Sequence, residues 1–240
     1  MKRVLVVLPA RNERETALKT AAEVKAFLCG NPNFRFLVVD DCSTDGTPDL
    51  FEEEFRGHPG VGVLRLPEKR GKGGAVAAGF SQADEDLHLF TDGDMAYPFV
   101  YLTALVRSLE DCDVAIGTRG TGRDDKRGIN RRRVMLGKGF NRLVCRLLGF
   151  NYPDTQAGIK GFRREAAAWL FEKSKIRSFS FDVELLYLAK KKGLRVGTVP
   201  VHTSQVHNYT RSKVRLIKDS LTMFGDVLRV LLMDAGGGYV

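Results

Sequence analysis

The sequence predicts an α/β fold in which a mostly parallel central sheet is covered by helices on both faces. Short runs rich in β-branched residues alternate with helical patterns through roughly the first 120 residues. The runs are apolar throughout and do not alternate with polar residues, which is typical of strands buried on both faces. Strands that alternate with helices of this length favour parallel pairing.

The elements of this first part can be assigned in chain order. The start, MKRVLVVLPARNE, has the basic residues and apolar run of a signal peptide, but Pro9 interrupts the run and charged residues follow it. We therefore predict that it forms the first strand. The elements after it are ETALKTAAEVKAFL, FRFLVVDD, TPDLFEEEF, VGVLRL, GGAVAAGFSQA, LHLFTD, FVYLTALVRSL and DVAIGTR.

The second part of the chain begins with a basic segment. From Arg119 to Arg146 there are ten basic residues and two acidic ones. We expect a basic loop that leads into a helix near 134–148. The remaining elements are a strand around AGIKGFR, helices over REAAAWLFEKS and DVELLYLAKKK, a strand RVGTVPVH, and a helix from about Lys213 to Met233. The predicted organisation is one domain over residues 1–210 and a C-terminal amphipathic helical extension over 211–240.

The composition limits the classes of function. A hydrophobic content of 43% with 28% charged residues is ordinary for a soluble globular protein. No segment approaches the roughly 20 unbroken apolar residues of a membrane span, so we expect a soluble chain or one that lies on a membrane surface. The four cysteines form no CxxC pair, which predicts neither a zinc site nor a disulfide framework and favours a cytoplasmic setting.

The net charge of +9 implies anionic partners. Nucleic acid, anionic lipid headgroups and phosphorylated small molecules all satisfy this requirement. The chain has no recognised DNA- or RNA-binding motif and no aromatic side chains interleaved in its basic segment, so we expect no nucleic-acid partner.

Polar residues follow the strands at the edge where such sheets bind ligands. Asp92 and Asp94 flank Gly93 after the fourth strand, so both carboxylates can approach one point. A hard divalent cation such as Mg²⁺ or Mn²⁺ prefers such oxygen ligands. An Asx-type turn is the alternative interpretation, and the position at the end of a strand favours the metal.

Asp40 and Asp41 end the second strand, before the STDGT segment. One interpretation is a helix N-cap, and the other is a carboxylate that accepts hydrogen bonds from a base or ribose. Both can hold at once, with Asp45 or Thr47 as the cap.

The segment KRGKGGAVAAG has neither GxxxxGK[ST] nor GxGxxG spacing, which excludes an ATP P-loop and a dinucleotide fingerprint. Lys69, Arg70 and Lys72 are candidates to meet a diphosphate, helped by free N–H groups at the helix start. A solvated surface loop is the alternative.

Two acidic residues begin the helix FDVELLYLAKKK. Capping alone would explain Asp182, and Glu184 points to another face of the helix. We predict that only Asp182 faces a site. The last helix is basic and amphipathic, so it either packs on its own domain or lies in a membrane interface.

Eight sequence blocks resemble, in the same order, family 2 inverting glycosyltransferases of the dolichyl-phosphate sugar synthase type, and dolichyl-phosphate β-glucosyltransferases most of all. The blocks are PARNE, VVDDCSTDGT, KRGKGGAV, TDGD, AIGTR, DTQAGIKGF, FDVELLYLA and RSKVRLIKDSL. The resemblance runs from about Val4 to Val230 and implies the GT-A fold, whose sheet binds nucleotide sugars.

The resemblance also implies roles for single residues. The nucleoside would be held by Pro9, Ala10, Asn12, Glu13 and Asp40 or Asp41. Lys72 would lie near the diphosphate, and Asp92, Gly93 and Asp94 would form the DxD motif, with both aspartates on the metal. Arg119 and Arg131, with Arg132 and Arg133, would meet phosphates. Asp154, Gln156 and Asp182 would line the sugar and acceptor side, and Arg211, Ser212 and Lys213 would lie near the lipid phosphate.

The implied reaction is transfer of a hexose, with glucose from UDP-glucose favoured, to a polyprenyl or dolichyl phosphate with Mg²⁺ or Mn²⁺ as cofactor. A GDP-mannose or UDP-N-acetylhexosamine donor and a soluble hydroxyl acceptor are the alternatives, and in the last case Asp182 would accept the proton. We expect attachment to the membrane surface through the terminal helix. The sequence leaves open whether the chain forms a homodimer.

Overall fold

The computed structural model describes residues 1–93, 96–119, 131–150, 152–178, 180–203 and 216–239. Within its helices, residues 131–136, 138, 140 and 216–221 are described by their backbone alone. The strands are β1 Val4–Ala10, β2 Phe34–Asp40, β3 Val61–Arg65, β4 Leu87–Thr91, β5 Val114–Arg119, β6 Ile159–Arg163 and β7 Val196–Val201. The helices are α1 Arg14–Gly30, α2 Thr47–Glu54, α3 Gly71–Phe80, α4 Val100–Ser108, α5 Arg131–Leu148, α6 Arg164–Lys173, α7 Phe181–Lys192 and α8 Leu216–Ala235.

In the described part of the chain the strands form one seven-stranded sheet with the order β3-β2-β1-β4-β6-β5-β7. The pairs β1–β2, β1–β4, β2–β3 and β5–β7 are parallel. In the register of β1 and β2, Ala10 lies opposite Asp40, so the segments that follow these two strands begin side by side. The mostly parallel sheet that the sequence predicts is confirmed.

Strand β6 differs from its neighbours because it runs antiparallel to both β4 and β5. Thr91, the last residue of β4, lies opposite Ile159, the first residue of β6. The loop that precedes β6 therefore reaches the same edge of the sheet as the segment that follows β4. This arrangement brings two polar parts of the chain together, although Asp92 and Asp154 lie 62 positions apart in the sequence.

The strands separate two hydrophobic cores. Successive residues of β1 alternate between them, with Leu5 and Val7 in one core and Val6 and Leu8 in the other. Aromatic rings fill the first core, where Phe90 lies near Phe162 and Phe181. Burial on both faces explains why the strand sequences lack polar positions.

Helix α8 packs against α5 and α7. Val227, Val230 and the following Tyr239 belong to the same core as Phe90. From the sequence, we expect this helix either to pack on its own domain or to lie in a membrane interface. The structure shows that it packs on its own domain. The predicted boundary at 210/211 lies outside the described residues. Among the helices that are described, none is both long and apolar enough to cross a membrane.

Gly79 offers a test of how closely α3 packs on the sheet. A Cβ atom at this position would lie 2.6 Å from Val7 Cγ2. We expect Gly79→Ala to lower the free energy of unfolding by about 1–3 kcal/mol through overpacking, despite the better helix propensity of alanine. Urea unfolding measures the change, provided that the free energy of unfolding depends equally steeply on urea concentration in the variant and the wild type.

Gly30→Ala is the matched control because a Cβ atom at Gly30 meets nothing within 4 Å. We expect its unfolding midpoint to equal or exceed that of the wild type. Equal midpoints for the two variants would show that α3 moves away from the sheet at little cost.

Candidate functional site

The candidate site lies where β1, β2, β4 and β5 end and β6 begins. Asp92 follows β4, and its backbone N–H donates a hydrogen bond to the Gly158 carbonyl, with an N···O distance of 3.0 Å. A side chain at Gly158 would overlap the Asp92 carboxylate. The loop before β6 therefore lies directly against this carboxylate, as the antiparallel register requires.

Lys72 approaches the same carboxylate from the first turn of α3. Its Nζ lies 2.6 Å from Asp92 Oδ1 and contacts the rings of Phe90 and Phe181 at 5.6 and 5.9 Å from their centroids. The Lys72 side chain is 12% exposed and that of Asp92 is 30% exposed. The pair is thus accessible to a ligand at the surface, and the rings hold the ammonium group in place.

Gly93 is enclosed by the end of β1. A Cβ atom at Gly93 would lie 2.8 Å from the Pro9 carbonyl oxygen, and the Gly93 carbonyl accepts a hydrogen bond from the buried Thr20 hydroxyl at 3.2 Å. These contacts fix the backbone next to Asp92. Asp94, the other predicted metal ligand, lies outside the described residues.

The two aspartates at the end of β2 have different roles. Asp41 accepts hydrogen bonds from the backbone N–H groups of Arg70 and Gly71, at 2.5 and 3.0 Å. The Gly73 N–H donates to the Arg177 carbonyl at 3.1 Å. The free N–H groups that the sequence led us to expect at the start of α3 are therefore taken by the protein itself, and that expectation is wrong for these three amides.

One carboxylate oxygen of Asp40 is buried without a described hydrogen-bond partner. Its Oδ2 accepts a hydrogen bond from the Ser43 N–H at 3.0 Å, whereas its buried Oδ1 has no hydrogen-bond partner among the residues that the structure describes. A buried carboxylate oxygen without a donor is costly unless a ligand supplies one. Asp41 is already satisfied by backbone amides, and the assignment of Asp40 to the nucleoside stays a prediction.

The PARNE segment is joined to the loop after β2 by hydrogen bonds. Asn12 has a φ of 52°, its N–H donates to Ser43 Oγ at 2.9 Å, and its side-chain oxygen accepts from the Thr44 N–H at 2.9 Å. The Glu13 N–H donates to Thr47 Oγ1 at 2.8 Å. Asn12 therefore shapes the edge of the site, and Pro9 and Ala10 end the strand beside Val39 and Asp40.

Arg119 and Asp154 form a bidentate ion pair. The Arg119 Nε and Nη2 atoms lie 2.6 and 3.0 Å from the two oxygens of Asp154. Burial alone would raise the pKa of Asp154, but the charge and hydrogen bonds of Arg119 outweigh it, so this pKa lies below its ordinary value. The Gln156 N–H also donates to Asp154 at 3.0 Å, which places the predicted Gln156 beside this pair.

Asn141 holds the loop that carries Asp154, a role that the sequence reading missed. Its Nδ2 donates to the carbonyls of Tyr152 and Pro153, at 2.9 and 3.1 Å. Its Oδ1 accepts from the N–H and hydroxyl groups of Thr155, at 3.1 and 2.8 Å. Asn141 is a polar residue in a basic helix, and nothing in the sequence pattern indicates that its side chain holds a loop.

Asp182 lies inside the protein, beneath the candidate site. Its Oδ1 is 2.8 Å from Nζ of Lys160, and the two side chains are 3% and 1% exposed. Lys160 also donates to the Ala157 carbonyl at 2.7 Å and lies 5.9 Å from the centroid of the Phe90 ring. Removing one partner of such a buried pair typically costs about 3–5 kcal/mol. A lysine within the apolar strand GIKGF is the sequence signal that points to this pair.

Glu184 points away from Asp182, as predicted, and contacts the segment before α7. The structure gives backbone alone for Arg131, Arg132 and Arg133, so their predicted phosphate contacts remain predictions. Arg211, Ser212 and Lys213 lie outside the described residues.

The Arg119–Asp154 pair predicts a dependence of stability on pH. An aspartate has an ordinary pKa of about 3.9, and a lower pKa in the folded state adds stability above that pH, which is lost as the pH falls through the folded pKa. We expect Asp154→Asn to be less stable than the wild type at pH 7 and to lose less further stability between about pH 5 and pH 2. Urea midpoints across this range measure the difference.

The control is Asp111→Asn, because Asp111 is exposed in the turn after α4. Its pH profile should follow that of the wild type. A parallel profile for Asp154→Asn would mean that the ion pair adds no net stability.

Comparisons with known proteins agree with this architecture. The sequence profile of glycosyl transferase family 2 matches residues 5–171. A dolichyl-phosphate beta-glucosyltransferase of Drosophila melanogaster is 36% identical over 84% of this chain and 67% of its own length. The human protein of that name is 30% identical over 99% of this chain and 78% of its own length.

Solved structures share the fold at lower identity. Glucosyl-3-phosphoglycerate synthase from Mycobacterium tuberculosis, in complex with Mn²⁺, UDP-glucose and phosphoglyceric acid, has a TM-score of 0.70 at 21% identity and covers 98% of this chain and 80% of its own. Mannosyl-3-phosphoglycerate synthase from Rubrobacter xylanophilus has a TM-score of 0.70 at 22% identity, over 98% of this chain and 75% of its own. Sequence match, sheet order and edge site lead to one conclusion: the chain belongs to glycosyltransferase family 2 and is a relative of the dolichyl-phosphate β-glucosyltransferases.

Proposed function

We propose that this chain transfers glucose from UDP-glucose to a polyprenyl phosphate such as dolichyl phosphate, with inversion at the anomeric carbon. The observation that carries the proposal is the Lys72–Asp92 pair at the ligand-binding edge of the sheet. The pair combines a group for a diphosphate with a group for a metal. The relatives named as dolichyl-phosphate beta-glucosyltransferases support the choice of sugar and acceptor.

Asp92 fits the role of ligand to Mg²⁺ or Mn²⁺. It offers hard carboxylate oxygens and is partly exposed, and the Lys72 ammonium that now neutralises it would have to move aside for the ion. Among the described residues no group of three or more His, Cys, Asp or Glu side chains converges on one point. Asp94 is the second ligand that the TDGD motif implies. The bound ion would supply positive charge for the diphosphate that leaves.

In the proposed reaction, a phosphate oxygen of the acceptor forms a bond to the anomeric carbon. The bond from that carbon to the diphosphate breaks, and UDP departs with the electron pair. The Lys72 ammonium would stabilise the growing negative charge on the diphosphate. The Asp40 carboxylate would accept a hydrogen bond from the nucleoside once a movement of its side chain exposes Oδ1, which is buried without a described partner.

The environment of Asp182 favours a phosphate acceptor over a hydroxyl acceptor. A hydroxyl requires a base that can reach its proton, whereas a lipid phosphate is already anionic near neutral pH. Asp182 is 2% exposed and is paired with Lys160. We therefore propose that Asp182 holds Lys160 and the loop carbonyl of Ala157 in place, which differs from the role of proton acceptor considered for it from sequence.

The direct test is transfer from radiolabelled UDP-glucose to a short polyprenyl phosphate with Mn²⁺ or Mg²⁺. We expect a product that extracts into organic solvent and that EDTA abolishes. Asp92→Asn should lower the rate by about 100-fold or more, as loss of a group that stabilises the leaving charge typically does. Asp111→Asn, which lies beyond α4 at the other edge of the sheet, should retain the wild-type rate.

GDP-mannose and a UDP-N-acetylhexosamine serve as competing donors in the same assay. A lipid product from one of these donors alone would overturn the choice of UDP-glucose. Hydrolysis of UDP-glucose without a lipid product would overturn the acceptor and keep the donor.

We further propose that the protein attaches to an anionic membrane surface through two neighbouring helices. Helix α5 exposes Leu143 and Leu147 beside the exposed Arg142 and Arg146. Helix α8, which contacts α5, exposes Leu228 and Leu232 beside Arg229. Leucine with arginine on the outer face of a helix is the pattern of interfacial binding to anionic lipid. The sequence led us to expect attachment through the terminal helix alone, and the proposal adds α5 to the membrane-binding surface.

Co-sedimentation with vesicles that contain phosphatidylglycerol tests this surface. We expect the double variant Leu228→Asp/Leu232→Asp to bind at least about tenfold more weakly, since each leucine loses burial in the interface. Leu18→Asp is the matched control, because Leu18 is an exposed leucine on α1. Equal binding of both variants and the wild type would contradict the proposal.

A further inference from the structure

Glu184 is a buried carboxylate that binds four donors at once. It is 0% exposed, and its oxygens accept hydrogen bonds from Ser174 Oγ at 2.6 Å and from the N–H groups of Lys175 and Ile176 at 2.9 and 2.8 Å. The fourth donor is the hydroxyl of Tyr239 at 2.6 Å. A buried charge is tolerated only when donors satisfy it in this way. Glu184 therefore fixes the segment 174–176 and the turn after α8 to one another.

The segment held by Glu184 continues directly to the start of α3. The Arg177 carbonyl accepts a hydrogen bond from the Gly73 N–H at 3.1 Å. A Cβ atom at Gly71 would lie 2.5 Å from the same carbonyl oxygen, and Gly71 has a φ of +74° that glycine adopts readily. The first turn of α3 thus rests on Arg177 without an intervening side chain.

Lys72 lies between these two glycines and depends on the same contacts for its position. Phe181, the first residue of α7, closes the other side, since a Cβ atom at Gly73 would lie 2.8 Å from Phe181 Cβ. The Phe181 ring lies 5.9 Å from Lys72 Nζ. A shift of the segment 174–178 would move the support of α3, and with it the ammonium group that pairs with Asp92.

We propose that Glu184 and Tyr239 are positioning residues that set the place of Lys72 in the donor site. They act through segment 174–178 and touch neither substrate nor metal. The inference rests on the proposed function for its meaning in catalysis, whereas the mechanical coupling of Tyr239 to α3 can be measured without any substrate. Burial and the neighbouring carboxylate raise the pKa of Tyr239 above its ordinary value, which keeps its hydroxyl protonated as a donor.

Tyr187 provides a matched comparison. Its hydroxyl donates to Asp234 Oδ2 at 2.6 Å, and so it also joins α7 to α8 by a bond from tyrosine to a carboxylate. The two tyrosine rings are neighbours, with centroids 6.4 Å apart. The Tyr187 hydroxyl, however, makes no described hydrogen bond to Glu184 or to segment 174–178. Tyr239→Phe and Tyr187→Phe therefore remove similar bonds from the same interface, and only the first bond reaches Glu184.

The experiment measures hydrogen exchange of the peptide that covers residues 69–80, together with the affinity for UDP in the presence of Mn²⁺. We expect Tyr239→Phe to speed exchange at the start of α3 and to weaken UDP binding about fivefold, the typical effect of one net hydrogen bond. Tyr187→Phe should change neither, although both variants should lower the melting temperature. Glu184→Gln should act in the same direction as Tyr239→Phe, because an amide cannot accept from all four donors.

Unchanged exchange in residues 69–80 for both Tyr239→Phe and Glu184→Gln would overturn the inference. Equal acceleration by Tyr187→Phe would overturn it too, because the effect would then be general loosening of the interface. If exchange responds as expected but the wild type does not bind UDP, the coupling stands and the proposed function fails.

Discussion

The site depends on the antiparallel insertion of β6 between β4 and β5. A purely parallel sheet would bring only the ends of β1, β2, β4 and β5 to the ligand-binding edge. Because β6 runs the other way, its beginning lies at that edge, and the loop 154–158 closes against Asp92. Glycine at position 158 permits this contact, since a side chain there would overlap the carboxylate. Asp92 and Asp154 thus share one edge although they are distant in sequence.

Three pairs of a basic and an acidic side chain organise this edge. Lys72–Asp92 and Arg119–Asp154 are both partly exposed, whereas Lys160–Asp182 is inside the protein. Coulombic attraction grows as water is excluded, but so does the cost of removing each charge from water. The buried pair therefore contributes fixed geometry, and the two partly exposed pairs have side chains that a ligand could reach.

Much of this arrangement could be predicted from sequence. The apolar strands, their alternation with helices and the polar residues at strand ends predicted the sheet and placed Asp92, Asp40 and Lys72 at one edge. The partners of charged groups were harder to predict, because ion pairing depends on distances between elements far apart in the chain. Asp41 proved to bind backbone amides of Arg70 and Gly71, and Asp182 proved to face Lys160. Asn141 gave no periodic signal, because its role is set by the path of the loop opposite it.

The contact between Lys72 and Asp92 makes the lysine an internal counter-ion. In the proposed function, a diphosphate that attracts the ammonium would leave Asp92 without its positive neighbour, and a divalent cation held by Asp92 would free the same ammonium for an anion. Each ligand would thus improve the conditions for the other, which is thermodynamic coupling between two binding events. We expect such a site to take up metal and diphosphate as a complex more readily than either alone, and to release them together after the sugar has left.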